Sequence, residues 1–324
     1  MRVVVLGGTR FIGRAIVEEL AAHGHELLVV HRGRSEPDDL PAARHLHIER
    51  RQLPQARPDL LAFAPEAVVD TFAMTAEDAD LALAALPDDI PAVVLSSGDV
   101  YRAYTALRLG LQTEPLPIDE QAPVREDRYP YRGEQLPGDV DVDHYEKLDV
   151  EPRYLRRGGT VLRLGIVFGE HDSQAREDFV LRRLRHGRRR IPVGTGTLLL
   201  SRVWVRDVAR AVAAAIERPE PGEVFNIAER HTLPVKAWIE QILRAAGAEA
   251  ELVTVPDDAL PPDLALTGAS QHLLLDTHKA RERLAFHPTE ADAAVRRSVA
   301  WHLAHPPADD DTDFSADDGA LAHA

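Results

Sequence analysis

Near its start the chain runs from Val3-Val4-Val5-Leu6 into Gly7-Gly8-Thr9-Arg10-Phe11-Ile12-Gly13, and a helical pattern, Arg14-Ala15-Ile16-Val17-Glu18-Glu19-Leu20, follows at once. The chemistry this order supports is phosphate binding. The first turn of a helix leaves backbone N–H groups unpaired at the positive end of its dipole, and glycines let an anion approach without a Cβ in the way. Arg182, Arg183, Arg185, Arg188, Arg189 and Arg190 form a basic run. It supports either an anionic substrate or a helix face of ion pairs. His45 and His47 would share a strand face, but no third histidine lies near them in sequence. They read as surface residues, and no metal is expected. Cys is absent, which removes disulfides, thiolate metal sites and a cysteine nucleophile. Without Gly-x-Ser-x-Gly, Ser97 is not placed as a hydrolase nucleophile.

These residues need a scaffold, and short Val-rich runs supply one. Strands are expected at Glu26–Val30, Leu46–Ile48, Ala67–Ala73, Ala92–Ser97 and Thr160–Leu164, with helices at Ala76–Leu86 and around His144–Arg156. Apolar runs separated by helices imply a doubly wound parallel sheet, an α/β Rossmann-type fold of about seven strands with a smaller C-terminal α/β lobe. Residues 1–168 form the dinucleotide domain, with 201–230 returning to it. Residues 169–200 and 231–305 form the substrate lobe. The segment 306–324 holds Asp309, Asp310, Asp311, Asp313, Asp317 and Asp318 and reads as an acidic, disordered tail. A net charge of −15 disfavours nucleic acid as a partner. No apolar run reaches the roughly 18 residues a membrane span needs, and Met1 sits directly on the first strand. A cytoplasmic location and a small-molecule substrate are expected, and the pattern is compatible with a homodimer.

In such a fold the end of the second strand lies beside the adenosine ribose, where an acidic residue would favour NAD(H). This chain has His31-Arg32-Gly33-Arg34. Arg32 offers a planar cation suited to a 2′-phosphate, and Arg10 can approach from the glycine turn. NADP(H) is therefore the expected cofactor, with NAD(H) the alternative.

Three further stretches, Leu95-Ser96-Ser97-Gly98-Asp99-Val100-Tyr101, Leu162-Arg163-Leu164-Gly165-Ile166-Val167-Phe168-Gly169 and Trp204-Val205-Arg206-Asp207-Val208-Ala209, join the glycine turn in a familiar order. The chain resembles the extended and atypical short-chain dehydrogenase/reductases, the NAD-dependent epimerase/dehydratase family, over about residues 1 to 305. The resemblance implies an NAD(P)(H)-dependent oxidoreductase acting at a hydroxyl or ketone carbon, as a reductase or as an epimerase or dehydratase. The alternative is a non-catalytic NADP-binding regulator on the same fold.

By that resemblance Ser97 bonds the substrate oxygen, a Tyr moves the hydroxyl proton, and a Lys holds the ribose and lowers the Tyr pKa. Ala73 closes the strand end that passes the cofactor, and Gln52 takes the place of an adenine-contacting Asp. Asp99 and Arg202 stand on the substrate side. Arg10 replaces the usual middle glycine of the turn, as in the atypical branch. The Tyr-x-x-x-Lys spacing is broken. Tyr145 and Lys147 are two apart and on a regular helix would point to nearly opposite sides. Three readings stay open. The helix begins irregularly, so that both side chains reach the nicotinamide. Or Lys147 keeps its role while Tyr101, Tyr129, Tyr131 or Asp99 moves protons. Or the site is dead.

Overall fold

The computed structural model describes residues 1–134, 142–308 and 312–324. The first half alternates strand and helix: β1 (Arg2–Leu6), α1 (Phe11–Ala22), β2 (Glu26–His31), β3 (Arg44–His47), α2 (Arg57–Ala62), β4 (Ala67–Asp70), α3 (Ala76–Ala85), β5 (Ala92–Ser97), α4 (Arg102–Arg108), α5 (Lys147–Arg156) and β6 (Thr160–Leu164). Then come β7 (Ile166–Phe168), α6 (Asp178–Arg185), β8 (Arg190–Val193), β9 (Arg202–Trp204), α7 (Val205–Glu217) and β10 (Val224–Ile227). The chain ends with α8 (Val235–Ala245), β11 (Glu251–Thr254), α9 (His278–Arg283), α10 (Ala291–Ala304) and α11 (Ser315–Leu321).

Seven strands make one parallel sheet in the order β10-β6-β5-β4-β1-β2-β3. Successive side chains of a strand face opposite ways, and both faces of this sheet are covered. Val3 and Val5 pack with Ile16, Val17 and the apolar side of α7. Val4 and Leu6 pack with Ala79 and Ala82 of α3 and Val150 and Tyr154 of α5. Strands buried on both faces read as unbroken apolar runs, which is why the sequence pattern identified them. The connection reverses direction at β1, between β2 and β4, and a crevice at such a switch point is where ligands bind in open α/β sheets.

Part of the acidic segment departs from the expected disordered tail, and Asp309, Asp310 and Asp311 lie outside the described residues. Ser315–Leu321 forms α11 instead of a disordered run. Both carboxylate oxygens of buried Asp317 accept from Arg183 at 2.7 Å, and Asp263 accepts from the same guanidinium. Phe314 lies under the guanidinium groups of Arg182 and Arg188. Composition alone could not show this, because the partners of the acidic residues lie more than 100 residues away in sequence. The basic run is thereby largely accounted for by ion pairs. Arg182 and Arg183 meet Asp263, Arg185 meets Asp178, Arg188 meets Asp318 and Arg190 meets Glu251.

Candidate active site

The glycine turn is locked in a form only glycine allows at two points. Gly7 has φ +89°, and a Cβ on Gly13 would stand 1.9 Å from the Gly7 carbonyl oxygen. Thr71 Oγ1 donates to the Leu6 and Gly7 carbonyls and fixes the turn against the end of β4. Helix α1 has no side-chain cap and no acidic residue in its first turn. That open, positive end suits a dinucleotide's pyrophosphate. Gly8 and Thr9 are buried, while the Arg10 side chain is exposed, with its backbone at the helix N-cap. Phe11 and Ile12 begin the helix. Arg32 is exposed in the turn after β2. Gln52 lies in a short 3-10 helix, and its amide oxygen accepts from the Glu49 N–H at 3.4 Å.

Tyr145 and Lys147 come together because α5 starts late. Its first residue is Lys147, and the N-cap Glu146 is extended, with φ −156° and ψ 94°. Tyr145 therefore precedes the helix and is not bound by helical spacing. Glu146 holds this shape. It accepts from Arg125 at 2.6 and 2.9 Å, from Arg128 at 3.1 Å and from the backbone N–H groups of Tyr129 and Leu148. Arg125 and Glu146 are both wholly buried.

Five side chains then converge beyond the ends of β4 and β5. The Tyr145 hydroxyl donates to Asp99 Oδ2 at 2.8 Å, and the Tyr131 hydroxyl donates to the same oxygen at 2.9 Å. Ser97 Oγ accepts from the Asp99 N–H and faces the Tyr145 phenol. Lys147 Nζ lies 5.7 Å from the centre of the Tyr145 ring and donates to the carbonyls of Ala73 and Leu95 at 2.7 and 3.0 Å. That uses two of its three donors. Burial pushes the Lys147 ammonium down to about 8, partly opposed by the charges of Asp99 and Asp70. Burial also raises the Asp99 carboxyl, and burial with the Asp99 charge raises the Tyr145 phenol. Asp99 Oδ1 is buried and has no partner among the described residues.

Of the other proton carriers left open by the sequence, Tyr101 donates to Asn226 at 2.6 Å and is pushed up to about 12 by burial. Tyr129 lies under Arg132. Tyr131 joins the site through Asp99. Arg50 and Tyr154 escaped the sequence reading: both bond buried Asp70 beneath the crevice. No spacing signal marks them, because the three come from separate elements.

Arg202 lies apart from this group, on β9, and is buried. It lines a cavity of about 370 Å³ with Phe179, Trp238 and Leu264. Its Nη2 donates to the Leu233 carbonyl, and its guanidinium stacks 4.5 Å from the Trp238 ring. Nε and Nη1 have no hydrogen-bond partner among the described residues. The nearest carboxylate, Glu229, is 3.5 Å from Nε.

Over residues 3–228 the chain matches the family described as the NAD dependent epimerase/dehydratase family. It is 28% identical over 260 residues to 2'-dehydrokanamycin reductase of Streptomyces kanamyceticus, spanning 79% of this chain and 70% of that protein. It is 26% identical over 323 residues to 3-diazoavenalumate denitrifying reductase of a Streptomyces species, spanning 94% and 97%. Its fold is similar to dTDP-glucose 4,6-dehydratase from Bacillus anthracis str. Ames, solved in complex with NAD. The TM-score is 0.69 at 16% identity, over 94% of this chain and 97% of that one. The order of the sheet, the glycine turn and the matched span agree: the chain belongs to the NAD-dependent epimerase/dehydratase family and is an enzyme of that oxidoreductase, epimerase and dehydratase class.

Proposed function

We propose that the chain is an NADP(H)-linked reductase acting at a ketone or hydroxyl carbon of an anionic small molecule. The observation that carries this reading is the convergence of Tyr145, Ser97, Asp99 and Lys147 despite the broken spacing. The reductase names of two relatives support the direction of the chemistry. The open N-terminus of α1 and the turn Gly7–Gly13 fit the pyrophosphate, and Arg32 with Arg10 fits a 2′-phosphate. When bound, the nicotinamide supplies the two-electron redox partner.

The chain's own residues handle the rest. Lys147 orients the ribose and its charge favours the ionised form of the Tyr145 phenol. Tyr145 gives its proton to the substrate oxygen as negative charge grows there. Ser97 donates to that same oxygen. Asp99 positions the phenol in the free site, the hydroxyl turns from it to the substrate oxygen for proton transfer, and the open Oδ1 of Asp99 accepts from a substrate hydroxyl. Arg202 receives the substrate's carboxylate or phosphate. A guanidinium that is buried with two nitrogens unsatisfied is costly, and an anion in the adjoining cavity offsets that cost.

The test is NADPH oxidation by the full chain over a panel of ketones carrying a carboxylate or phosphate, each paired with its neutral analogue. Turnover is expected with anionic members. Tyr145→Phe should lower kcat about 100-fold or more, and Arg202→Met should raise KM with little change in kcat. Equal turnover of neutral analogues, or an unaffected Tyr145→Phe enzyme, would refute the corresponding assignment.

A further inference from the structure

His45 and His47, which the sequence left without a third ligand, acquire two in the fold. Strand β3 pairs in parallel with β2, and the register sets His47 opposite His31 and His45 opposite Val29. Side chains two apart on a strand share a face, so all three imidazoles stand on one face at the ends of two adjacent strands. Glu36, from the loop after β2, reaches back over them. His31 Nε2 lies 2.9 Å from His45 Nδ1, and Glu36 lies 3.4 Å from His31 Nε2, 3.4 Å from His45 Nδ1 and 2.8 Å from His47 Nε2. The four ligand atoms fall within 4.8 Å of one another.

We infer that His31, His45, His47 and Glu36 form a binding site for a divalent transition-metal ion of the zinc class. Four nitrogen and oxygen ligands are the complement of a tetrahedral Zn²⁺ site, with bonds of about 2.0–2.2 Å. Such bonds put ligand atoms roughly 3.3 Å apart, which is close to the spacings already present. Three imidazoles with one carboxylate suit zinc, cobalt or nickel better than calcium or magnesium, which take oxygen ligands. The carboxylate among the rings also opposes an anionic occupant. His31 is buried and its ring meets those of His45 and His47 edge-on, 5.2 and 4.7 Å between centres. One rearrangement accompanies uptake. The Gly33 N–H donates to His31 Nδ1 at 3.1 Å. Coordination through Nε2 moves the ring proton to Nδ1 and releases Gly33, which is exposed and passes its N–H to water.

The site stands independently of the proposed reaction, and so does its test. The full chain is stripped with a chelator, then titrated with Zn²⁺ alone by calorimetry and with Co²⁺ alone by visible absorption. One ion per chain in the micromolar range or tighter is expected, with the intense visible bands of four-coordinate cobalt. The His45→Ala/His47→Ala double variant should bind at least 100-fold more weakly and Glu36→Gln at least 10-fold, with metal-free thermal midpoints unchanged. Absence of binding by the wild type would overturn the inference. So would unchanged uptake in the double variant, which would move the ion elsewhere, for instance to His23, His25 and Glu217.

Discussion

Lys147 is held on two backbone carbonyls, in a buried place that lowers its affinity for a proton. In the proposed reaction its charge favours release of the Tyr145 proton, so its titration is expected to appear in the rate. Below about 8 the ammonium is intact; above it the charge is lost. The free enzyme's kcat/KM is therefore expected to fall about tenfold per pH unit on the alkaline side of that value. A pH profile of kcat/KM with NADPH checks this, and Lys147→Met should abolish the alkaline limb along with most of the activity. At this scale the sequence was half legible. Ser97, Tyr145 and Lys147 could be named from motif order. Tyr131 could be named only as one of several alternatives, because its tie to the site is a shared carboxylate oxygen on Asp99 rather than a spacing. The histidine cluster was not legible for a related reason: His31 and Glu36 reach His45 and His47 through strand pairing and a loop.

At the scale of elements, the start of α5 decides whether there is a site at all. A regular helix through residues 143–147 would set Tyr145 and Lys147 on opposite sides. Glu146 prevents it by taking an extended conformation and spending its carboxylate on Arg125, Arg128 and two backbone N–H groups. Breaking a buried ion pair from one side leaves an uncompensated charge, typically at a cost of 3–5 kcal/mol. Arg128 remains to share it, so Arg125→Met should cost about 3 kcal/mol, read as a lowered denaturation midpoint. In the fraction that stays folded, kcat should drop more than cofactor affinity, since the glycine turn is untouched. The helix itself was visible in the sequence around 144–156. Its true first residue was not, because the contacts that stop it come from Arg125 and Arg128, about twenty residues upstream.

At the scale of the whole molecule, the parallel sheet was legible because strands buried on both faces leave continuous Val-rich runs. The tail was not, because Asp317 and Arg183 find each other across the fold. Among the described residues no helix is long and apolar enough to cross a membrane. In the proposed function the glycine turn after β1 and the group of Tyr145, Asp99 and Lys147 beyond β5 serve one cofactor, while Arg202 on β9 lines the cavity beside Trp238. A crystal structure of the full chain with NADP⁺ tests that claim most directly. The pyrophosphate should lie on Gly7–Gly13, with Lys147 Nζ on the nicotinamide ribose and the Tyr145 hydroxyl facing the nicotinamide ring. A cofactor whose nicotinamide lies away from both Tyr145 and Lys147 would contradict the account.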